Sequence, residues 1–209
     1  MKRIQPLSGV FLFFLIFASA SLSFSIEQTE LPKTDLPVLI TSCGQSPGPV
    51  RLKAIFKKLD LEYEPKAYDV VEFLTAKDLK VYKDVGTPFK TLIIVMGASL
   101  KGMGAAGIAI EDEIDRVSEL MKEARQHGMT IIGAHIGGMK RRAPGAMVGD
   151  NTDELSIDAV APKSDLLVVI KEGNADGRFT IISQDKGIPM IEAEKLLDLI
   201  AEFEKLFKK

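Results

Sequence analysis

Short, uninterrupted apolar runs alternate along this chain with segments of helical periodicity, and most of the runs end in a glycine-rich loop. The clearest are Pro37-Val38-Leu39-Ile40-Thr41, Thr91-Leu92-Ile93-Ile94-Val95-Met96 and Leu166-Leu167-Val168-Val169-Ile170. A strand with no polar alternation is covered on both faces, the condition of a parallel sheet flanked by helices. Weaker runs predict further strands over 61–67, 130–136 and 188–191. Between the runs, Leu52, Ile55, Phe56 and Leu59 share one helical face, with Ser46 placed to cap that helix and Pro47 in its first position. A second helix is predicted over 70–81. Ile110, Ile114, Val117, Met121 and Ala124 mark a long one that Gly128 stops. Asn151-Thr152-Asp153-Glu154 has capping-box spacing, Asp176 opens a helix that ends at Gly187, and Leu196, Leu199, Ile200, Phe203, Leu206 and Phe207 line the last one. Strict alternation implies right-handed crossovers. The expected fold class is α/β, a three-layer α/β/α sandwich of five to six mainly parallel strands. Periodicity does not encode strand order, so Rossmann-like and flavodoxin-like layouts both stand.

The amino terminus has the pattern of an export signal. Lys2 and Arg3 form a positive start, residues 10–18 an apolar stretch short for a bilayer, and Ala18-Ser19-Ala20 a small-residue cleavage pattern. Residues 1–20 are read as a signal peptide, 21–36 as a linker and 37–209 as one α/β domain. Leu22 and Phe24 prolong the apolar region, so an uncleaved anchor is the competing reading. The expected location is exported, periplasmic or extracellular. Removing Lys2 and Arg3 takes the 27 basic residues to 25 against 29 acidic ones, a formal charge of −4. Such a domain offers no general attraction for nucleic acid, so any anion site must be local. Cys43 is the only cysteine, which excludes an internal disulfide framework.

In a parallel sheet the loops after the strands gather at one edge, where ligands bind. In the first loop, Gly44, Gln45 and Ser46 precede a helix start and offer donors to a phosphate, sulfate or carboxylate. A thiol there would have a lowered pKa, making Cys43 a candidate nucleophile, or else it packs as a small apolar side chain. The second loop holds a literal G-x-G-x-x-G in Gly102, Gly104 and Gly107. It lies too far from its strand for a dinucleotide fold, no acid ends the next strand, and Glu111, Asp112 and Glu113 would oppose a pyrophosphate. No cofactor is expected. A glycine-rich flap carrying Ser99 and Lys101 over a ligand is the reading preferred. Gly137 and Gly138 then precede Lys140, Arg141 and Arg142, which clamp an anion or form a solvated run. His135 at the strand end is either structural or a catalytic base. In the fourth loop, Asn174 is a candidate reader of a ligand hydroxyl or amine, and Asp176 a helix cap. With no HxxxH or CxxC pattern, no metal is expected.

Several of these motifs carry a resemblance. Pro37 to Gly48, Met96 to Gly102 and Gly133-Ala134-His135-Ile136-Gly137-Gly138 resemble an uncharacterised family of exported bacterial domains of unknown function, as do Ser164-Asp165, Asn174 to Phe179 and Gly187-Ile188-Pro189. The resemblance spans nearly all of the chain after the signal and implies the α/β fold and export, but no activity. From the residues, the leading expectation is a non-enzymatic exported binding protein for a small anionic solute, with ligand contacts from Gly44, Gln45, Ser46, Ser99, Lys101, Gly137, Gly138, Lys140, Arg141 and Asn174. The alternatives are an enzyme with Cys43 as nucleophile and His135 as base, and an accessory module for a membrane transporter.

Overall fold

The apolar runs pair as parallel neighbours in a single sheet. The computed structural model describes residues 30–147 and 150–208. Its strands are β1 (Val38–Ser42), β2 (Tyr68–Val70), β3 (Thr91–Val95), β4 (Thr130–His135), β5 (Leu166–Ile170) and β6 (Met190–Ala193). Their order is β2-β1-β3-β4-β5-β6, all parallel. That is the flavodoxin-like order with one further strand, and it places the reversal of winding between β1 and β3. The signal-peptide reading lies outside the described residues. Among the described residues no helix is long and apolar enough to cross a membrane.

Helices cover both faces, and the central strands β1, β3 and β5 are buried along their whole length. On one face lie α1 (Gly48–Phe56) and α7 (Leu199–Phe207), which pack Leu52, Phe56, Phe203 and Phe207 against Ile40, Ile93 and Val168. The Phe56 ring lies 5.1 Å from Phe203 and 5.6 Å from Phe207. Each fully buried aromatic of this kind contributes about 1.5–3 kcal/mol. On the other face α2 (Ala76–Asp84), α4 (Ile110–Gln126), α5 (Thr152–Val160) and α6 (Arg178–Lys186) bring Leu79, Val117, Leu120, Ile157 and Phe179 onto Leu39, Ile94 and Val169. The end of the expected linker is pinned to the domain, since Thr34 is buried and its hydroxyl donates to the Leu206 carbonyl at 2.8 Å.

Several elements differ from the sequence expectation: Pro47 is the cap of α1 rather than its first residue, α5 starts at Thr152 without the expected capping box, and the last strand lies at Met190–Ala193 rather than over 188–191. The second strand lies at Tyr68–Val70 rather than over 61–67. It is a half-buried edge strand, whereas the earlier segment holds Glu62, Glu64, Pro65 and Lys66, which suit no ladder position. The second helix begins later, at Ala76, because Thr75 and Asp78 form a capping box there. The segment after β3 also holds a short helix of its own, α3 (Leu100–Ala106), which Gly107 ends in the left-handed conformation before α4 begins.

Candidate functional site

The loops after β1, β3, β4 and β5 meet at the carboxyl edge of the sheet, and internal side chains bind them to one another. Gly44 has φ +96°, and a Cβ there would lie 2.6 Å from the Cα of Ala98, so only glycine lets the first two loops touch. The Ser99 amide closes that contact by donating to the Gly44 carbonyl at 2.7 Å. The Gly44 amide donates to Glu113 Oε2 at 2.6 Å, and the Gln45 side-chain amide to Oε1 at 3.0 Å. Glu113 is 0% exposed. Arg116 neutralises it through Nε at 2.8 Å and donates onward to the carbonyls of Ser42 (2.6 Å) and Leu74 (2.5 Å). Burial alone would raise the Glu113 pKa, but the Arg116 guanidinium and the Gly44 amide outweigh it and hold the carboxyl below its ordinary value. Donors of the first loop expected to receive a foreign anion are therefore held by one that belongs to the chain.

The flap expected in the second loop is instead helix α3, with the Ser99 hydroxyl accepting from the Gly102 amide at 3.2 Å as its cap. Gly102 is fixed against Gln45, whose carbonyl oxygen would lie 2.2 Å from an added Cβ. Lys101 is exposed on this helix. The Gly97 amide donates to Ser156 Oγ at 3.1 Å, and that hydroxyl donates to the Cys43 carbonyl at 2.8 Å.

In the third loop the three cations separate. Lys140 is exposed, whereas Arg141 lies over Gly97 and Gly137 and donates to the Ala98 carbonyl at 2.5 Å. Arg142 is buried, pairing with Glu154 at 2.7 Å and Asp176 at 2.5 Å and donating to the Gly173 carbonyl. His135 is wholly buried, with Nε2 2.9 Å from the Arg141 carbonyl oxygen and its ring 5.0 Å from that of Phe179. Its Nδ1 is buried with no hydrogen-bond partner and lies against Gly173, where an added Cβ would come within 2.5 Å. Burial lowers the His135 pKa, and the nearby Arg142 charge adds to that, against the Arg141 carbonyl. Asn174, in the fourth loop, is occupied as a cap. Its oxygen accepts from the Phe179 amide at 2.9 Å while its nitrogen donates to Thr180 (2.9 Å) and Glu192 (2.7 Å).

The catalytic pair expected from Cys43 and His135 is not built. The thiol is 0% exposed, burial pushes its pKa up to about 11, and its side-chain hydrogen bond runs to Ser156 rather than to the histidine. At neutral pH it is protonated and enclosed. We expect Cys43 in the folded protein to react with iodoacetamide at least about a hundredfold more slowly than after denaturation in urea, because only the thiolate attacks. Rapid labelling of the native protein at pH 7 would show a thiolate that this burial does not allow.

What stays open at the edge is a narrow cleft at the β1–β3 switch point, lined by Ser46, Pro47, Gly48, Arg51, Gly137 and Arg141 over Val95, Met96 and Ile136. Its interior volume is about 10 Å³, that of one water-sized sphere. Gly48 lets the start of α1 sit directly on β3, since a Cβ there would lie 2.3 Å from Val95. Arg51 is exposed, and its guanidinium has no ionic partner among the described residues. Among those residues no group of three or more histidine, cysteine or acidic side chains is placed to hold a metal. Arg51 and Gly48 were not among the expected ligand contacts, although Arg51 lies one turn from the Ser46-Pro47-Gly48 helix start.

Residues 35–207 match the model of the family described as Domain of unknown function (DUF6305). The chain belongs to this family. No curated protein matches it. Solved structures to which this DUF6305 member is similar include the esterase EstA from Pseudoalteromonas sp. (10% identity, 75% of this chain and 77% of that one, TM-score 0.35). A GDSL-like lipase from Bacteroides thetaiotaomicron shows 13% identity over 78% of this chain and 71% of that one, with a TM-score of 0.33. The acetyl xylan esterase AlAXEase shows 6% identity over 80% and 81%, with a TM-score of 0.36. Likeness at this level does not extend to chemistry.

Proposed function

We propose that this DUF6305 protein is an exported, non-enzymatic binding protein for a small anionic solute, held at the switch-point cleft. The observation that carries this is the unpaired Arg51 beside the start of α1, opposite Arg141 and Gly137, in a domain whose net charge is negative. First-turn amides of a helix carry partial positive charge, and a guanidinium matches a carboxylate, phosphate or sulfate through paired donors. The cleft admits one oxygen of such a group, and Arg51 covers the rest. Gly44, Gln45 and Ser99 serve this site by fixing its walls, while Lys101 on α3 and Lys140 after β4 lie exposed and add positive potential at the edge. Binding without chemistry agrees with a thiol and a histidine that are both enclosed.

Isothermal titration of the protein from Ser21 onward, at low ionic strength, against acetate, succinate, phosphate and sulfate is the direct trial. Saturable binding of at least one anion is expected. Arg51→Ala should weaken it about ten- to a hundredfold, the worth of one charge-assisted contact, with thermal stability unchanged. Absence of heat across the whole panel, or binding indifferent to Arg51, would refute the assignment.

A further inference from the structure

A groove of about 410 Å³ that shares no lining residue with the switch-point cleft, within the size range of ligand cavities, is bounded by α3, the start of α4 and the start of α5. Its walls are Leu100, Met103, Ile108, Ile110 and Leu155, and Leu100 leaves 70% of its surface in solvent. We infer that this groove is a second binding site, for a ligand with an apolar body and a cationic head group.

Two observations carry the inference beyond an exposed apolar surface. The first is Gly104, which lines the groove from the interior of α3. A glycine inside a helix costs stability relative to alanine, and packing normally explains it. Here it does not. Gly104 has no left-handed backbone, and an added Cβ would meet nothing within 4 Å. The neighbouring Gly102, by contrast, is held by the Gln45 carbonyl. A side chain at position 104 would fill only the groove, so the glycine keeps the groove open. The second is charge. Of the three acids in the first turn of α4, Asp112 is engaged by the Ala109 amide and Glu113 by Arg116. Glu111 is exposed, lines the groove and has no ionic or hydrogen-bonded partner among the described residues. An apolar trough with one free carboxylate at its rim complements an amphiphile carrying an ammonium or guanidinium group.

The test titrates dodecyltrimethylammonium, below its micellar concentration, into the ¹⁵N-labelled protein, with dodecyl maltoside as the uncharged comparison. Saturable amide shifts confined to α3, the start of α4 and Leu155 are expected, with the cationic amphiphile bound about threefold or more tightly, the scale of one exposed ion pair. Gly104→Leu should abolish binding of both amphiphiles while the protein stays folded, and Glu111→Gln should erase the preference between them. Should Gly104→Leu fail to fold, Glu111→Gln on the exposed rim still decides the charge claim. Absence of saturable shifts at α3, equal affinity for both amphiphiles in the unmodified protein, or a preference that survives Glu111→Gln would each overturn the inference. None of these readouts depends on the anion cleft, whose amides report separately.

Discussion

Glu113→Ala is expected to lower the unfolding free energy by about 3–5 kcal/mol, read as a lower urea midpoint at an unchanged slope. The substitution leaves the buried Arg116 without its counter-charge and the Gly44 amide and Gln45 side chain without their acceptor. Removing one partner of a buried pair costs far more than the pair itself contributes, because the charge left behind has lost its water as well as its partner. Glu113→Gln keeps an acceptor for the Gly44 amide and should recover part of the loss. A change below about 1 kcal/mol in the alanine variant would mean that Glu113 does not bind the loops together. The same pair sets a pH signature. The folded carboxyl binds its proton less readily than the unfolded one, so its contribution is complete above the ordinary carboxylate range and fades as the pH falls through and below it. His135 works earlier in the descent. Its folded pKa is lowered by burial, so the unfolded chain takes up a proton that the folded chain resists, and stability declines as the pH falls below about 6.5.

Arg142→Ala should be comparably damaging, again about 3–5 kcal/mol. The side chain is buried between Glu154 and Asp176, and it also satisfies the Gly173 carbonyl. Without it Glu154 in α5 and Asp176 in the β5 loop lose the cation they share, and Arg178 and the Ala143 amide are what remain on Glu154 among the described residues. Arg142→Lys keeps the charge but cannot reach both carboxylates through a planar fork, and should lie between the two extremes. Thermal unfolding of the three proteins at pH 7 checks the order. Equal midpoints for the alanine and unmodified proteins would show that Arg142 is a solvated surface cation, the alternative that its sequence context left open.

These two arginine–carboxylate clusters mark where the sequence was readable and where it was not. β3 and β5 were legible because an unbroken apolar run in a chain of this pattern can only be a covered strand. β2 was not, because an edge strand half-open to solvent carries little apolar signal, and Leu61 with Tyr63 imitated one nearby. The glycines of α3 read as a mobile flap on propensity alone, but the Ser99 cap, Met103 packing and the Gln45 contact override that propensity. Glu113 was legible only as a helix-start acid opposing an anion. A stronger signal was present: it falls on the apolar face that Ile110, Ile114 and Val117 define, three residues before Arg116, and an ionised pair at buried helical positions implies internal use. Glu154 and Asp176 had no such local signal, since their partner lies in another loop and only the topology unites them. The gathering of the loops at one edge followed from parallel strands, while the occupation of their amides depended on side chains distant in sequence.

The measurement that bears most directly on the proposed site is a sulfate titration of the ¹⁵N-labelled protein followed amide by amide. With sulfate or whichever anion of the panel binds, saturable shifts are expected at Ser46, Gly48, Arg51 and Gly137, with the Gly44 amide and the Gln45 side-chain amide little changed because Glu113 already accepts from both. Shifts centred on the Gly44 amide and the Gln45 side chain, or no saturable shift near Arg51 with any anion of the panel, would contradict the proposed site.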